Sequence, residues 1–588
     1  MDQHDGLPAD WVQELASRVL SVTADPDLCL AARLQIGWAL VWSNRQADAL
    51  STLISVAEDA SPRVPAIAWH AMGLAATVVY QSGLPAGSKA LLHALDRMED
   101  PAEPLAGGSA GYADEQRVWI RACTDPFGSE RTVTYLRRIA GGTVTDLARV
   151  GAAAWLLNEI ELAVRLLREA LSQLRAPGVR GRSGAALSSL QWACIDSGRW
   201  DEALAAAAAA EAADAAAAYK MEFVAASADL STATVLAMRG HHDQVPPLLA
   251  RALSAVDAAE YHSVAARARH AAGIAALAEG GYLTAYVQLS QLFDDDGTPM
   301  HHQVSYLGIA DLAAAAVRAD RHLEARTLVD RALGRLDQVP GPRLAQLAAR
   351  ARGLLAQPAD AEGHFAKALS GLAGEGWPFE RAQLQLDYGE WLRRQRRIND
   401  AKPVLAAALE TFRRLGAAPW SRRAETELRA SGVTAQGAHG TRRACRAHHP
   451  TTRDRRPSQP RPDQRRNRRS PVPVPPHRSL PPVPLLPEAR HSRPPPAPRP
   501  DRPGSAKGSR SAGRLPGSGC PEGIALLIRR CIGPVAGSLR QPRVQPWLNR
   551  LAHHRPCRSC ARMDNLRARA RICRGDLPVT RRHVRLRP

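Results

Sequence analysis

Small residues recur at a nearly fixed interval through the middle of the chain, and this interval constrains the fold more than any other sequence feature. These residues come in pairs, one pair in each repeat. The first member of each pair is Ala163, Ala203, Val245, Ala285, Ala325, Ala361 or Ala401, at steps of 36 to 42 residues. Seven residues after each comes Ala170, Ala210, Ala252, Leu292, Ala332, Ala368 or Ala408. Positions seven apart share one face of an α-helix, where small side chains let a neighbouring helix approach closely. The interval therefore predicts stacked helical repeats.

Another small residue stands twelve positions before four of these marks and predicts an earlier helix in each unit. These residues are Gly273, Ala313, Ala349 and Gly389. Each unit is then a helical hairpin, and its arrangement of small residues resembles that of tetratricopeptide (TPR) repeats. The interval of about 40 residues exceeds the roughly 34 of that repeat, which implies longer helices or linkers. Two less regular helix pairs are expected earlier, in residues 28–58 and 65–97.

Ten of the small residues are interpreted as helix-packing positions and not as ligand contacts, because small apolar side chains are usually buried. They are Gly273, Ala285, Ala313, Ala325, Ala332, Ala361, Ala368, Gly389, Ala401 and Ala408. In repeat arrays of this kind the concave surface commonly binds a peptide or a partner protein. The sequence alone singles out no residue on that surface.

The first 432 residues have the composition of an all-α protein. They are rich in Ala and Leu and lack the alternating apolar pattern that strands require. The expected architecture is a right-handed superhelix of TPR-like hairpins. No run of about 18 apolar residues indicates a membrane span, and the first residues lack the basic and apolar regions of a secretory signal. Cys29, Cys123 and Cys194 form no disulfide framework, so we expect a cytoplasmic protein that does not contact membranes.

The composition changes at Gly432. Residues 433–588 contain 34 arginines and one lysine against seven aspartates and glutamates, a net charge of +28. Since the whole chain carries +21, residues 1–432 carry −7. A segment so rich in Pro and Arg has too little apolar surface to fold. We therefore predict a TPR-like helical repeat domain at 1–432 and a disordered basic tail at 433–588.

The tail also fits the translation of a GC-rich gene in a shifted reading frame. Suppose that each codon takes the last base of one original codon and the first two bases of the next. Residues 463–491 then permit the sequence TNAEIGEALFLSPRTVAYHLYRSFPKLGI. This sequence resembles the LuxR-type helix-turn-helix, in which N-x-E-I-x-x-x-L-F-L-S forms the first helix and turn and P-R-T-V-x-x-H-L begins the recognition helix. The tail is thus predicted to be an out-of-frame translation of that region and beyond.

Residues 389–432 resemble the last repeat and linker before the DNA-binding domain of large, MalT-like regulators of the LuxR family. The resemblance is looser over the rest of residues 1–432. It implies that the repeats bind a protein or small-molecule effector and that intact relatives bind DNA by placing the recognition helix in the major groove. As translated, this chain contains none of the DNA-contacting residues, so we do not expect it to bind operator DNA specifically.

Two other functions stay open. The chain is alternatively a stand-alone TPR-like scaffold for protein–protein interaction, unrelated to DNA. A weaker alternative is non-specific nucleic-acid binding through the basic tail, which would fall steeply with salt because it rests on phosphate contacts.

The sequence offers little support for catalysis or for a cofactor. The segment GSAKGSR at residues 504–510 is the nearest match to a phosphate-binding loop, but it lacks the strand and helix that make one. His241 and His242 are adjacent, as are His301 and His302. Neighbouring residues do not share a helix face, so each pair is interpreted as a polar helix start and not as a metal site.

A CxxC motif with nearby histidines occurs in the tail. His553, His554, Cys557 and Cys560 have zinc-like spacing, but the second half of such a site is missing. We interpret the motif as a chance arrangement and expect a protein without metal, cofactor or enzymatic activity.

Overall fold

The computed structural model describes residues 9–43, 45–98, 111–125, 130–142, 144–174, 183–216, 222–336, 341–370 and 376–432. Helices make up all the regular structure in these ranges, apart from an isolated antiparallel bridge between Phe293 and Pro299. This confirms the predicted all-α class with TPR-like hairpins. The predicted basic tail, its shifted-frame segment and its CxxC motif lie outside the described residues.

The helices follow one another as antiparallel pairs along the chain. In chain order they are α1 (Ala9–Val22), α2 (Pro26–Trp42), α3 (Gln46–Ala60), α4 (Pro65–Ser82), α5 (Pro85–Asp96), α6 (Tyr112–Thr124), α7 (Glu130–Ala140), α8 (Leu147–Leu156), α9 (Ile160–Leu174), α10 (Ser183–Asp196), α11 (Trp200–Ala216), α12 (Glu222–Arg239), α13 (Val245–Ala255), α14 (His262–Glu279), α15 (Tyr282–Ser290), α16 (Val304–Leu307), α17 (Ile309–Arg318), α18 (His322–Gly334), α19 (Pro342–Leu355), α20 (Pro358–Ser370), α21 (Pro378–Arg394), α22 (Ile398–Leu415) and α23 (Ala418–Ala430).

Each hairpin has a first helix and a second helix. We call α2, α4, α6, α8, α10, α12, α14, α17, α19, α21 and α23 the first helices, and the helices paired with them the second helices. The expected helix pairs at 28–58 and 65–97 correspond to α2–α3 and α4–α5. Proline occupies the first or second position of α2, α4, α5, α13, α19, α21 and α23. Its fixed φ and missing N–H suit a helix start, which explains why these helices begin where they do.

In four hairpins, the two helices meet at a glycine in the first helix. A Cβ atom built on that glycine would lie between 2.5 and 2.9 Å from the leucine sixteen residues later, in the pairs Gly37–Leu53, Gly151–Leu167, Gly273–Leu289 and Gly389–Leu405. Such a distance is shorter than any van der Waals contact, so only glycine allows the two helices to pack this closely. We call this contact between the paired helices the hairpin seam.

Most first helices are buried on several sides, whereas the second helices, and α23 at the end of the array, are buried along one face. In α20 the described buried residues are Ala361, Phe365 and Ala368, which share one face. In α19 they are Arg343, Leu344, Gln346, Leu347, Ala348, Ala349, Arg350, Ala351, Gly353 and Leu355. The first helices therefore form an inner layer, and several of their buried residues are polar.

Hydrogen bonds between residues far apart in the sequence join successive turns of the repeat array. The Tyr261 hydroxyl, just before α14, donates to the Val41 carbonyl near the end of α2 at 3.0 Å, over 220 residues. Nδ1 of His262 donates to the Ser82 carbonyl at the end of α4 at 2.6 Å, over 180 residues. First helices thus meet end to end. Carbonyls at the C-terminal end of one helix, which have no partner within that helix, lie close to the start of another, and the helix dipole favours this arrangement.

Among the described residues, no helix combines the length and apolar character that crossing a membrane requires.

Candidate interaction surface

The ten predicted packing residues lie in the interior of the repeat array. Gly273, Ala285, Ala313, Ala325, Ala332, Ala361, Ala368, Gly389, Ala401 and Ala408 are all buried. The small residues that mark the earlier repeats are buried as well, at Ala163, Ala170, Ala203, Ala210, Val245 and Ala252. These residues pack helices together and leave no side chain exposed to a partner, so a binding surface has to be sought elsewhere.

The inner face of the C-terminal first helices carries a group of buried and half-buried charges that the sequence did not single out. We call it the inner charged cluster, and it consists of Arg318, Arg343, Arg350, Arg423, Asp196, Asp311, Asp387, Glu380 and Glu390. Four guanidiniums therefore face five carboxylates. The signal in the sequence is a polar stripe at helical spacing, Glu380, Gln383, Asp387 and Glu390, within a helix that is otherwise buried all round.

Arg350 is the centre of this cluster. Its side chain is 2% exposed and pairs with Asp311 at 3.2 Å and with Asp387 at 2.9 Å. The Asp387 carboxylate also accepts from Arg318 and Arg423, at 3.3 and 2.7 Å. The cluster thereby joins α17, α19, α21 and α23, and each charge in it is held in place by at least one opposite charge.

At the other end of α19, Arg343 connects the cluster to an earlier turn of the array. Its guanidinium bonds to Asp196 at the end of α10, at 2.7 and 3.1 Å, and to Glu380 of α21 at 2.6 Å. The second Asp196 oxygen also accepts from the Trp155 indole at 3.0 Å. These contacts span 147 residues of sequence, so they depend on the complete superhelical turn.

Burial and pairing shift the acidities of these carboxylates in opposite directions. Burial raises the pKa of Glu390 to about 7, against the opposing effect of Arg318. Burial would also raise the pKa of Asp311, but the neighbouring His270 and Arg350 hold that pKa below its usual value. The charge of Glu390 therefore changes near neutral pH, and burial also raises the pKa of Glu380 in the same cluster.

Two buried amide side chains of the first helices, one of them on α19 within the cluster, have unused hydrogen-bonding groups. Neither Oε1 nor Nε2 of Gln346 bonds to any described residue, although the side chain lies between Arg343 and Arg350 on one face of α19. Nε2 of Gln191, in α10, likewise bonds to no described residue. Buried polar atoms are nearly always paired, and leaving one unpaired costs about 1–3 kcal/mol. The inner face thus retains unused capacity for polar recognition.

The two adjacent histidines before α16 stabilise the contact between turns. Nδ1 of His301 accepts from the backbone N–H groups of Gln303 and Val304 at 3.0 and 3.1 Å, which agrees with the interpretation of a polar helix start. Both histidines precede the helix, so the rule that neighbouring residues lie on different helix faces does not apply to them. Their rings stack with centroids 4.5 Å apart.

Residues 301–303, which we call the 301–303 segment, bond to the ends of three first helices. Nε2 of His301 donates to Tyr80 O at 2.6 Å, Nε2 of His302 to Cys123 O at 3.0 Å, and Nε2 of Gln303 to Leu156 O at 3.4 Å. Burial lowers the pKa of His301 well below its usual value and lowers that of His302 to about 4. Both imidazoles are therefore neutral at pH 7. No cluster of three metal-ligating side chains occurs in the described ranges.

An arginine and three aromatic side chains form a further contact between turns. The Arg267 guanidinium carbon, in α14, lies 3.7 Å from the ring centroid of Trp192 and 5.5 Å from that of Trp155. Its Nη2 donates to the Tyr80 hydroxyl at 3.2 Å. We call these four side chains the Arg267 clasp.

The chain is a TPR-like helical-repeat protein. No protein-family model matches it, and no curated protein matches it either. Among solved structures it is similar to a Rap protein complexed with competence and sporulation factor, with a TM-score of 0.38 and 13% identity over 66% of this chain and 99% of that chain. It is also similar to the human IFIT1 dimer with PPP-AAAA, with a TM-score of 0.37 and 15% identity over 72% and 94%. Yeast Tom70 gives a TM-score of 0.24 and 12% identity over 72% and 93%. At these identities the similarity concerns the fold alone.

Proposed function

We propose that the chain is a binding scaffold that takes a polar peptide segment of a partner protein on the inner face of its first helices. The observation that carries this proposal is Gln346, whose buried amide lies within the inner charged cluster and bonds to no described residue. A buried ion pair is rarely more stabilising than apolar residues of the same volume. Stability alone therefore gives no reason for paired charges and unpaired amides to occupy this face, whereas recognition of a polar partner does.

The role proposed is binding and not catalysis. The inner charged cluster consists of guanidiniums and carboxylates that neutralise one another, together with amides that both donate and accept. Such groups hold a peptide backbone or polar side chains by hydrogen bonds. A small-molecule effector with amide or carboxylate groups would use the same contacts, and this is the second ligand class that the proposal admits.

We further propose that this scaffold is the signal-receiving region of a cytoplasmic, MalT-like regulator of the LuxR family. The support is the resemblance of residues 389–432, which form the end of α21 together with α22 and α23, the last described helices. In this proposal the chain as translated does not bind operator DNA specifically, because the helix-turn-helix is encoded only in the other frame. A stand-alone interaction scaffold is the competing proposal.

Selection from a random peptide library displayed on phage tests the binding function. The full chain should enrich peptides, and Gln346→Leu should reduce their retention about tenfold, because it removes a buried donor and acceptor of the recognition face. Gln357→Leu, at an exposed position after α19, is the matched control and should retain them. Failure to enrich any peptide, or equal retention by both variants, would remove the support for the inner face.

Restoring the reading frame upstream of codon 463 tests the relation to LuxR regulators. The repaired C-terminal segment, expressed alone, should be helical and should enrich a defined sequence from a random DNA pool through its recognition helix. An unfolded product, or a folded one that enriches no sequence, would leave the stand-alone scaffold as the better account.

A further inference from the structure

We infer that Arg267 is a recognition site for a carboxylate group of the bound partner. This inference rests on the proposed binding function and assigns one chemical group to one side chain. Its basis is the contrast between Arg267 and the arginines of the inner charged cluster, together with the geometry of the clasp.

The clasp fixes the plane of the guanidinium. Trp192 and Trp155 lie 3.7 and 5.5 Å from its central carbon, and the Tyr80 hydroxyl accepts from Nη2 at 3.2 Å. The three aromatic residues are themselves buried, so they are rigid parts of α4, α8 and α10. An arginine stacked in this way keeps its edge N–H groups free to form a paired hydrogen bond with a planar carboxylate.

The charge of Arg267 has no carboxylate partner within ion-pair distance among the described residues. Arg343 and Arg350, by contrast, each pair with two carboxylates. Asp196 is near the clasp, but its oxygens already bond to Arg343 and to the Trp155 indole. A half-buried guanidinium without a counter-charge is costly, and a ligand carboxylate would offset that cost.

Apart from Asp196, which bonds to the Trp155 indole, the groups around the clasp supply no negative charge. His301, whose ring packs edge-on against Tyr80 at 5.1 Å, is neutral because burial, and then the charges of His302 and Arg267, lower its pKa. His262 uses Nδ1 to bond Ser82 O. The one carboxylate described beside the clasp, Asp196, is paired with Arg343, so an anionic ligand is favoured at Arg267.

Half-buried Arg267 also differs from the other arginine of α14, the buried Arg269. Arg269 also has no carboxylate partner in the described ranges, but its guanidinium bonds to Gln291 at the end of α15. Two residues apart on a helix, these side chains lie on different faces. Of these two arginines, Arg267 is the one that packs against Trp155 and Trp192 at the contact between turns.

Random peptides displayed with free C-termini and selected on the full chain test the inference. The wild-type chain should enrich an Asp, a Glu or the terminal carboxylate at one fixed position. Arg267→Met should lower the enrichment of that group about tenfold or more. Arg326→Met, at an exposed position of α18, should not change it.

Two further measurements make the outcome decisive. Arg267→Lys keeps the charge but not the planar guanidinium, so it should also weaken the acidic preference. This variant decides the outcome if Arg267→Met fails to fold. Thermal unfolding at increasing succinate concentrations distinguishes the two sources of the carboxylate. If the carboxylate comes from a small acid, succinate should raise the unfolding midpoint of the wild-type chain and not that of the variants. If the carboxylate comes from a peptide, the midpoint should stay unchanged. An acidic preference that survives both substitutions would overturn the inference. Gln346-dependent enrichment of peptides without acidic preference would overturn it too, but would leave the scaffold intact.

Discussion

The two faces of the first helices are built from opposite kinds of residue. On the seam face, Gly273 and Gly389 let the leucines of the second helices pack against the backbone, and neighbouring alanines are fully buried. On the inner face, Arg350 and Asp387 are as deeply buried, yet they are charged and paired. One face is held by close packing and the other by balanced charge.

This difference indicates different roles. Close apolar packing contributes to stability wherever it occurs. Buried ion pairs contribute little beyond what an apolar core would give, although removing one partner is costly. The seam therefore explains why the repeats stack, and the inner face is the part of the molecule whose composition requires a functional explanation.

The largest effect is expected when one inner charge is removed. Arg350→Met should lower the free energy of unfolding by about 3–5 kcal/mol, because Asp311 would stay buried with no guanidinium beside it and Asp387 would lose one of its three. Urea unfolding followed by far-UV circular dichroism measures the change. Arg45→Met, which removes an exposed pair with Asp48, should have a far smaller effect. If the two variants were equally stable, the inner pairs would not be the buried contacts described.

A second effect, smaller than the first, concerns pH and the 301–303 segment. The pKa of His302 is lowered to about 4 in the folded protein, against about 6.5 when unfolded. Its contribution to stability is therefore present above pH 6.5 and is lost as the pH falls towards 4. His302→Gln should reduce this loss, by up to about 3 kcal/mol, since glutamine has no proton to bind.

The comparison must be made between variants, because Glu390 acts in the opposite direction. Its raised pKa, about 7, gives stability that is present below about pH 4.3 and is lost as the pH rises through 7. His322→Gln, at an exposed histidine, serves as the control for His302→Gln. Identical pH profiles for the wild-type chain and His302→Gln would contradict the neutral, buried His302.

Smaller effects are expected from overpacking the seam. Ala325→Leu or Ala408→Leu should cost about 1–3 kcal/mol, because no space is available for the added atoms. Arg326→Leu changes the exposed neighbour of Ala325 and should cost little. Thermal unfolding of the three variants in parallel measures the difference. Equal tolerance at all three positions would show that the repeat register is wrong.

The seam was accessible from the sequence because its signal is local. Ala325 and Ala332 are seven residues apart on one helix, and Gly273 contacts a leucine only sixteen residues later. Such spacings repeat from unit to unit, so a single sequence displays them several times. The all-α class and the hairpin order follow from the same local pattern.

The inner face was not accessible from the sequence, because its partners are distant. Asp196 and Arg343 are 147 residues apart, and Tyr80 and His301 are 221 apart. No period links such residues, and a charged residue in a helix usually faces solvent. The polar stripe of α21 was visible, but only its burial in the structure distinguishes it from an exposed face.

The stability of Gln346→Leu, measured beside its peptide binding, tests most directly whether the inner face serves recognition. The substitution removes two buried polar atoms without described partners, so the free energy of unfolding should stay unchanged or rise by about 1 kcal/mol, while retention of the enriched peptides falls. A variant that unfolds more easily yet retains the peptides would contradict the account, because it would show that Gln346 supports the fold and does not contact a partner.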